Sequence, residues 1–326
     1  MPILDPNTYK PAPLLRYGHL STILPNILRK IKRPSYERFR LDTDDGDFLD
    51  LDISKVGSDT MVILTHGLEG SSDREYMSAM VHEVNANKWD ALAINLRSCS
   101  GVPNKLYSSY HSGKSDDLDR VVKYVLTNYA YKSILLIGYS LGGNITLKYV
   151  GEEGDNIHPT IKAAAAVSVP IMLHDSADQL AKRENWIYMN RFVRKLSPKL
   201  KEKISRFPQD DLSPKLIKRM KTFYDFDSLY TAPAHGFTSA EDYWERSSSR
   251  PFIKNIQVPT LLINAKDDPF LADNCYPFEE AESNPNFYLL APDHGGHVGF
   301  MSRINEKGSY WHEREIAQFF KEHLKA

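Results

Sequence analysis

The sequence predicts an α/β protein: a doubly wound, mostly parallel sheet with helices on both faces and one helical insertion. Three observations carry this expectation. Apolar runs of strand length alternate with amphipathic runs of helical length from residue 60 onward. The alternation stops at Pro170 and resumes beyond residue 250. Several of the apolar runs are continuous, as in strands buried on both faces. With 326 residues, 41% hydrophobic and 25% charged, the chain can build one such domain with an insertion.

Four segments follow in order. Residues 1–35 read as an N-terminal arm that packs against the main domain, with a basic amphipathic membrane contact as the alternative. Its "TILPNILRKIKR" puts Ile23, Leu24, Ile27, Leu28 and Ile31 at helical spacing, with Pro25 suited to a first helical turn. Residues 36–170 form the first part of the core. There "ERFRLDT" and "FLDLDIS" flank "DDGD" as a hairpin. "TMVILTHG" (60–67), "WDALAINLR" (89–97), "SILLIG" and "IKAAAAVSVP" are strands. "SDREYMSAMVHEVNAN", "KSDDLDRVVKYVLTNY" and "GNITLKYVG" are the helices between them. The second of these opens on Ser115 as an N-cap, with two aspartates suited to the helix dipole. Residues 171–250 are helical in pattern and read as a lid. Residues 251–326 return to the core with "VPTLLINAKDD" (strand), "NCYPFEEAES" (helix), "NFYLLAPDHGGH" (strand and loop) and "YWHEREIAQFFKEHLKA" (helix).

Composition narrows the function classes. A net charge of −1 gives no argument for nucleic acid. The two cysteines, Cys99 and Cys275, the absence of a signal-peptide pattern in "MPILDPNTYKPAPLL" and the lack of a membrane-length apolar run point to a reduced, cytoplasmic protein. The charge is uneven: Lys182 to Lys221 carries thirteen Lys/Arg and four Asp/Glu, a local net of +9. The expectation is two solvated basic helices whose apolar residues, Phe192, Val193, Leu196, Leu200, Ile204 and Phe207, cover the core. The alternative is a face that meets an anionic membrane surface or an acidic head group.

The chemistry centres on Gly138-Tyr139-Ser140-Leu141-Gly142, where a strand ends and a helix begins. A serine hydroxyl is a poor nucleophile unless it is exposed, oriented and next to a base. A tight strand–turn–helix elbow exposes it, and the crowding on either side tolerates only glycine. A base is available in "APDHGGHVGF", which offers His294 and His297 in a glycine-rich loop after the last strand. An acid is available in "LLINAKDDPF", which offers Asp267 and Asp268 after another strand, turned by Pro269. The chain order Ser, Asp, His is that of the α/β-hydrolase triad. Backbone N–H groups of Leu141 and of Leu68, in "THGLEG", are the candidate oxyanion hole, with Gly67 and Gly70 allowing close approach. His66 is then a structural neighbour. No H-E-x-x-H is present, and the reading needs neither a metal nor an organic cofactor. Cys99 reads as a passive buried thiol.

At these residues the chain resembles the α/β-hydrolase family that holds the bacterial YheT-type hydrolases, the fungal medium-chain ester synthase/esterases and the animal abhydrolase-domain lipid hydrolases. The matching stretches span most of the chain: "LRYGHLSTILP", "THGLEGSSDREYM", "INLRSCSG…YHSGKSDDL", "GYSLGGN", "FDSLYTAPAHGF", "NAKDDPF" and "HGGHVGF". The resemblance implies Ser140 as nucleophile, Asp268 as acid and His297 as base. It implies hydrolysis of small carboxylic esters, short- to medium-chain acyl or lipid, with acyl transfer to alcohols in some members. One departure is Ser98, where glycine is expected after Arg97. His19 and His235 fall in matching stretches without an evident chemical role. Thioester cleavage by the same triad, and a non-catalytic lipid-binding or membrane-docking protein on a hydrolase scaffold, are the competing readings.

Overall fold

The computed structural model describes residues 2–208 and 212–325 and arranges them around one sheet. Its strands are β1 (Glu37–Asp42), β2 (Phe48–Ser54), β3 (Thr60–Thr65), β4 (Asp90–Asn95), β5 (Ser133–Tyr139), β6 (Ile161–Val167), β7 (Thr260–Ile263) and β8 (Phe287–Leu290), in the order β1-β2-β4-β3-β5-β6-β7-β8. The β1/β2 hairpin and the β2/β4 pairing are antiparallel; the other five pairings are parallel. Side chains alternate across a strand, so a continuous apolar run supplies both faces. Met61, Ile63, Leu92, Ile94, Ile134 and Leu136 enter one core cluster, while Val62, Leu64, Ala91, Ala93, Leu135 and Ile137 enter the other.

Helices close both faces. α1 (Gly18–Leu28) belongs to the arm; α2 (Glu75–Ala86), α3 (Ser115–Asn128) and α4 (Leu141–Glu153) lie between strands. Met77, Met80 and Val84 of α2 share one cluster with Ile316 and Phe320 of the helix Trp311–Leu324. Val121 and Val125 of α3 share the other with Ile145 and Val150 of α4. β3 lies between β4 and β5, so the chain runs outward to β4 and then crosses back to β3's other side. Connections leave the C-terminal ends of β3 and β5 in opposite senses and open a crevice there.

The arm differs from expectation. Pro25 lies deep in α1, which starts at Gly18, not in its first turn. The ring removes only the donor to the Ser21 carbonyl, and Arg29 N–H still caps on the Pro25 carbonyl at 3.0 Å. The arm is also stapled to the far end of the chain. Arg29 makes two 2.7 Å bonds to the buried Glu313 and stacks over the Tyr310 ring at 3.6 Å. Ser115 is the first residue of α3 rather than its cap; its hydroxyl donates to Glu152 Oε2 at 2.5 Å instead. The helix expected across 274–283 is confined to Phe278–Ser283, with a 3₁₀ turn at Asp273–Cys275.

Between β6 and β7 the chain forms α5 (Leu173–Ala181), α6 (Trp186–Arg206), a π-helical turn Asp227–Thr231 and the helix Ala240–Ser247. In α6, Tyr188, Met189, Leu196 and Leu200 are buried, at the spacing of one helical face. Two of its lysines also point inward. Lys199 Nζ lies 2.9 Å from Glu69 Oε2, and the buried Lys203 bonds Asn104 Oδ1 and the Leu106 carbonyl. Those charges are therefore spent on core loops, not on an outer surface. Asp210 and Asp211, counted in the +9, lie outside the described residues.

Candidate active site

Ser140 sits between the last residue of β5 and the first of α4, with φ 53° and ψ −118°. A non-glycine residue reaches that region only when its neighbours hold it there. Ser140 N–H donates to the Val167 carbonyl at 2.8 Å, and the Ser140 carbonyl accepts from Asn144 N–H at 3.0 Å. The flanking glycines are forced by space. A Cβ on Gly138 would lie 2.3 Å from the Gly142 carbonyl oxygen, and one on Gly142 would lie 2.4 Å from that of Thr65.

Ser140 Oγ and His297 Nε2 are 3.0 Å apart, and His297 Nδ1 is 2.8 Å from Asp268 Oδ2. Asp268 is buried, and its other oxygen accepts from Phe270 N–H at 2.9 Å. With Nδ1–H donated to the carboxylate, Nε2 is the acceptor for the serine proton. The Phe270 ring stacks on the imidazole with centroids 4.0 Å apart. The duplicated neighbours do something else. Asp267 Oδ1 accepts from Gly296 N–H at 2.8 Å, and its Oδ2 lies 3.5 Å from Nδ1 of the half-exposed His294. Burial pushes the Asp267 carboxyl above its usual range.

Gly67 packs against the serine; a Cβ there would lie 3.1 Å from Ser140 Cβ. The Gly67 carbonyl accepts from Gly70 N–H at 3.0 Å and from His66 Nδ1–H at 2.7 Å, which pins the loop after β3. Among the described residues, neither Leu68 N–H nor Leu141 N–H donates to a protein acceptor. Both residues line the same cavity as Ser140 and His297. His66 is neutral and structural: its Nε2 accepts from Leu96 N–H at 3.1 Å, and burial lowers its pKa to about 4.

That cavity holds about 320 Å³. Leu173, Leu180, Phe192, Leu196, Leu200 and Phe223, all between β6 and β7, form much of its wall. Among the polar groups of its wall that sequence reasoning did not single out is Asp227. Asp227 is buried, accepts from Thr231 Oγ1–H at 2.6 Å and Trp244 Nε1–H at 2.8 Å, and makes no salt bridge among the described residues. Burial raises its pKa to about 7. The available signal was the placement of an aspartate within an apolar-aromatic helical stretch, "FYDFDSLY".

The remaining candidates are explained without chemistry. Ser98 does adopt a glycine-like φ of 63°, and its hydroxyl compensates by pairing with Asn104 on two atoms, at 2.6 and 3.0 Å. Burial pushes the Cys99 thiol up to about 12, so it stays protonated. His235 and His111 pack edge to face with centroids 4.5 Å apart, and burial keeps both neutral. His19 Nδ1 is hydrogen-bonded to the Tyr188 hydroxyl at 3.0 Å.

Comparison with known proteins agrees with this architecture. The family described as alpha/beta hydrolase fold matches residues 60–303. The Escherichia coli protein named "Putative esterase YheT" is 31% identical over 314 residues, covering 94% of this chain and 91% of its own length. Monoacylglycerol lipase of Saccharomyces cerevisiae is 31% identical over 288 residues, covering 83% of this chain and 61% of that one. Among solved structures, the Pyrococcus furiosus esterase Pf2001 superposes with a TM-score of 0.61 at 19% identity, covering 91% of this chain and 98% of that one. At that identity the likeness concerns the fold alone.

Proposed function

The chain belongs to the α/β-hydrolase family, and on that premise we propose that it is an ester hydrolase working through an acyl-enzyme on Ser140. The observation that carries the reading is the hydrogen-bonded line Ser140–His297–Asp268 at the edge of an apolar cavity. Ser140 Oγ attacks the ester carbonyl carbon while His297 Nε2 takes its proton. Asp268 holds Nδ1–H and stabilises the imidazolium that forms. The carbonyl oxygen gains charge that Leu68 N–H and Leu141 N–H would take up; both residues line the cavity, and among the described residues neither N–H has a protein acceptor to give up first. The imidazolium then protonates the departing alkoxide, and water, activated by the same imidazole, releases the acid. An aliphatic acyl chain of short to medium length suits the leucine and phenylalanine walls. An alcohol in place of water would give acyl transfer, and a thioester would follow the same path.

The test is hydrolysis of p-nitrophenyl esters of graded acyl length, with fluorophosphonate labelling. Ser140→Ala should lose labelling and at least about three orders of magnitude in kcat. A labelled, active Ser140→Ala protein rules the assignment out.

A second proposal concerns where the enzyme works. Trp186 and Ile187, at the start of α6, are 60% and 52% exposed, and Lys182, Arg183, Arg191 and Arg194 around them are exposed too. An apolar tip flanked in sequence by four exposed cations and one exposed acid, Glu184, suits an anionic lipid surface, where each cation adds up to about 1 kcal/mol. No helix among the described residues is long and apolar enough to cross a membrane. Sedimentation with anionic and neutral vesicles at low and high salt tests it, using the wild type and a Trp186→Ser, Arg191→Gln, Arg194→Gln variant. Equal sedimentation of both proteins with anionic vesicles leaves this face merely solvated.

A further inference from the structure

His297 lies in a loop whose backbone takes conformations that L-residues avoid. Gly296, Val298 and Phe300 have φ of 58°, 55° and 48°, and valine is β-branched. Such a loop keeps its shape only where its surroundings over-determine it. Three consecutive N–H groups are captured by three side chains. Gly296 N–H donates to Asp267 Oδ1 at 2.8 Å, His297 N–H to Thr22 Oγ1 at 2.9 Å, and Val298 N–H to Ser168 Oγ at 2.9 Å. Asp267 and Ser168 follow β7 and β6 and lie inside the matched stretch 60–303. Thr22 does not: it comes from the arm.

The arm is fitted to this place closely. A Cβ on Gly18 would lie 1.9 Å from the Asp267 carbonyl oxygen, and one on Gly299 2.1 Å from that of Ser21. A Cβ on Gly296 would lie 2.6 Å from the Gly18 carbonyl oxygen. Thr22 is buried, and its hydroxyl donates to the Gly18 carbonyl at 2.7 Å, so towards His297 it acts as an acceptor. One turn earlier on the same helix, His19 reaches the Tyr188 hydroxyl of α6. Ile23 packs into the cluster of Leu180, Tyr188, Met189 and Phe270, and Phe270 is the ring stacked on the His297 imidazole.

We propose that Thr22 is a positioning residue for His297, and that α1 is the strut tying α6 to the catalytic imidazole. The proposal rests on the triad reading above. Thr22→Val keeps the volume and removes the acceptor, leaving a buried N–H unpaired beside the base. With p-nitrophenyl esters, Thr22→Val should lower kcat about tenfold with KM within about twofold, because the base is misplaced while the cavity is intact. Thr22→Ser, which restores the hydroxyl, should recover most of that loss. A Thr22→Val kcat within twofold of wild type, or a Thr22→Ser protein as impaired as Thr22→Val, overturns the proposal. His297→Ala run alongside separates the two levels. If it stays active, the triad reading falls and takes this one with it; if it is dead while Thr22→Val matches wild type, only the strut falls. Should the valine variant not fold, amide exchange on the wild-type protein decides. Segments 18–28 and 294–300 should open together, and a loop that stays protected while the arm exchanges freely refutes the coupling.

Discussion

Ser140 and His297 meet at 3.0 Å, yet the segments that deliver them are held by opposite means. The elbow is held locally. Its strain is contained by glycines at 138 and 142 and by backbone bonds to the neighbouring strand and its own helix. The histidine loop has little local support. Its positive φ angles are held by side chains from the turn after β7, the end of β6 and the arm. On the triad we propose, the nucleophile is specified largely by five adjacent residues, whereas its base depends on distant ones.

Four substitutions sharpen that contrast. The largest effect is expected where chemistry and support separate within one dipeptide. Asp268→Asn should cost about three to four orders of magnitude in kcat, since it removes the carboxylate that fixes the imidazole tautomer. Asp267→Asn keeps an acceptor for Gly296 N–H and should cost no more than about tenfold. Comparable losses in the two would mean that support and chemistry are not divided between them. Next, Gly142→Ala tests the elbow. Its Cβ meets two backbone carbonyls, of Thr65 and His66, which cannot swing away, so unfolding in urea should show a loss of about 2–4 kcal/mol. The smallest effect is expected at Ser168→Ala, which removes one of three clamps and should cost about 1 kcal/mol. A Ser168 effect as large as that of Gly142 would mean that the histidine loop hangs on a single contact.

The contrast also explains what could be read from the sequence. The sheet was legible because strands covered on both faces must be apolar along their middle, as in Met61–Leu64 of β3 and Ala91–Ile94 of β4. The elbow was legible because its requirements are adjacent in the chain. The pairs Asp267/Asp268 and His294/His297 could not be separated from residue type alone, since each pair offers the same chemistry one residue or one turn apart; the resemblance favoured Asp268 and His297. Thr22 carried no signal, and Asp227 only its setting in an apolar-aromatic stretch, because their neighbours at His297 and Trp244 are brought to them only by the finished fold. Ser115 was placed one position off, and Pro25 was expected in a first turn but lies deep in α1. Proline and serine mark helix starts statistically, but a tertiary partner can override either, as Glu152 does for Ser115.

The staple between Arg29 and Glu313, which lie 284 residues apart, gives the molecule a chronology. Chains are made from the N-terminus, and segments fold as their partners appear. Every backbone contact that strains the elbow comes from β3, β5, α4 or the end of β6, all complete by residue 168. The arm, made before any of these, meets four of its close neighbours, Asp267, Gly296, Gly299 and Glu313, only near the other end of the fold. On the triad we propose, a growing chain therefore has its serine elbow long before it has His297, and the Arg29 staple closes only once Glu313 is made.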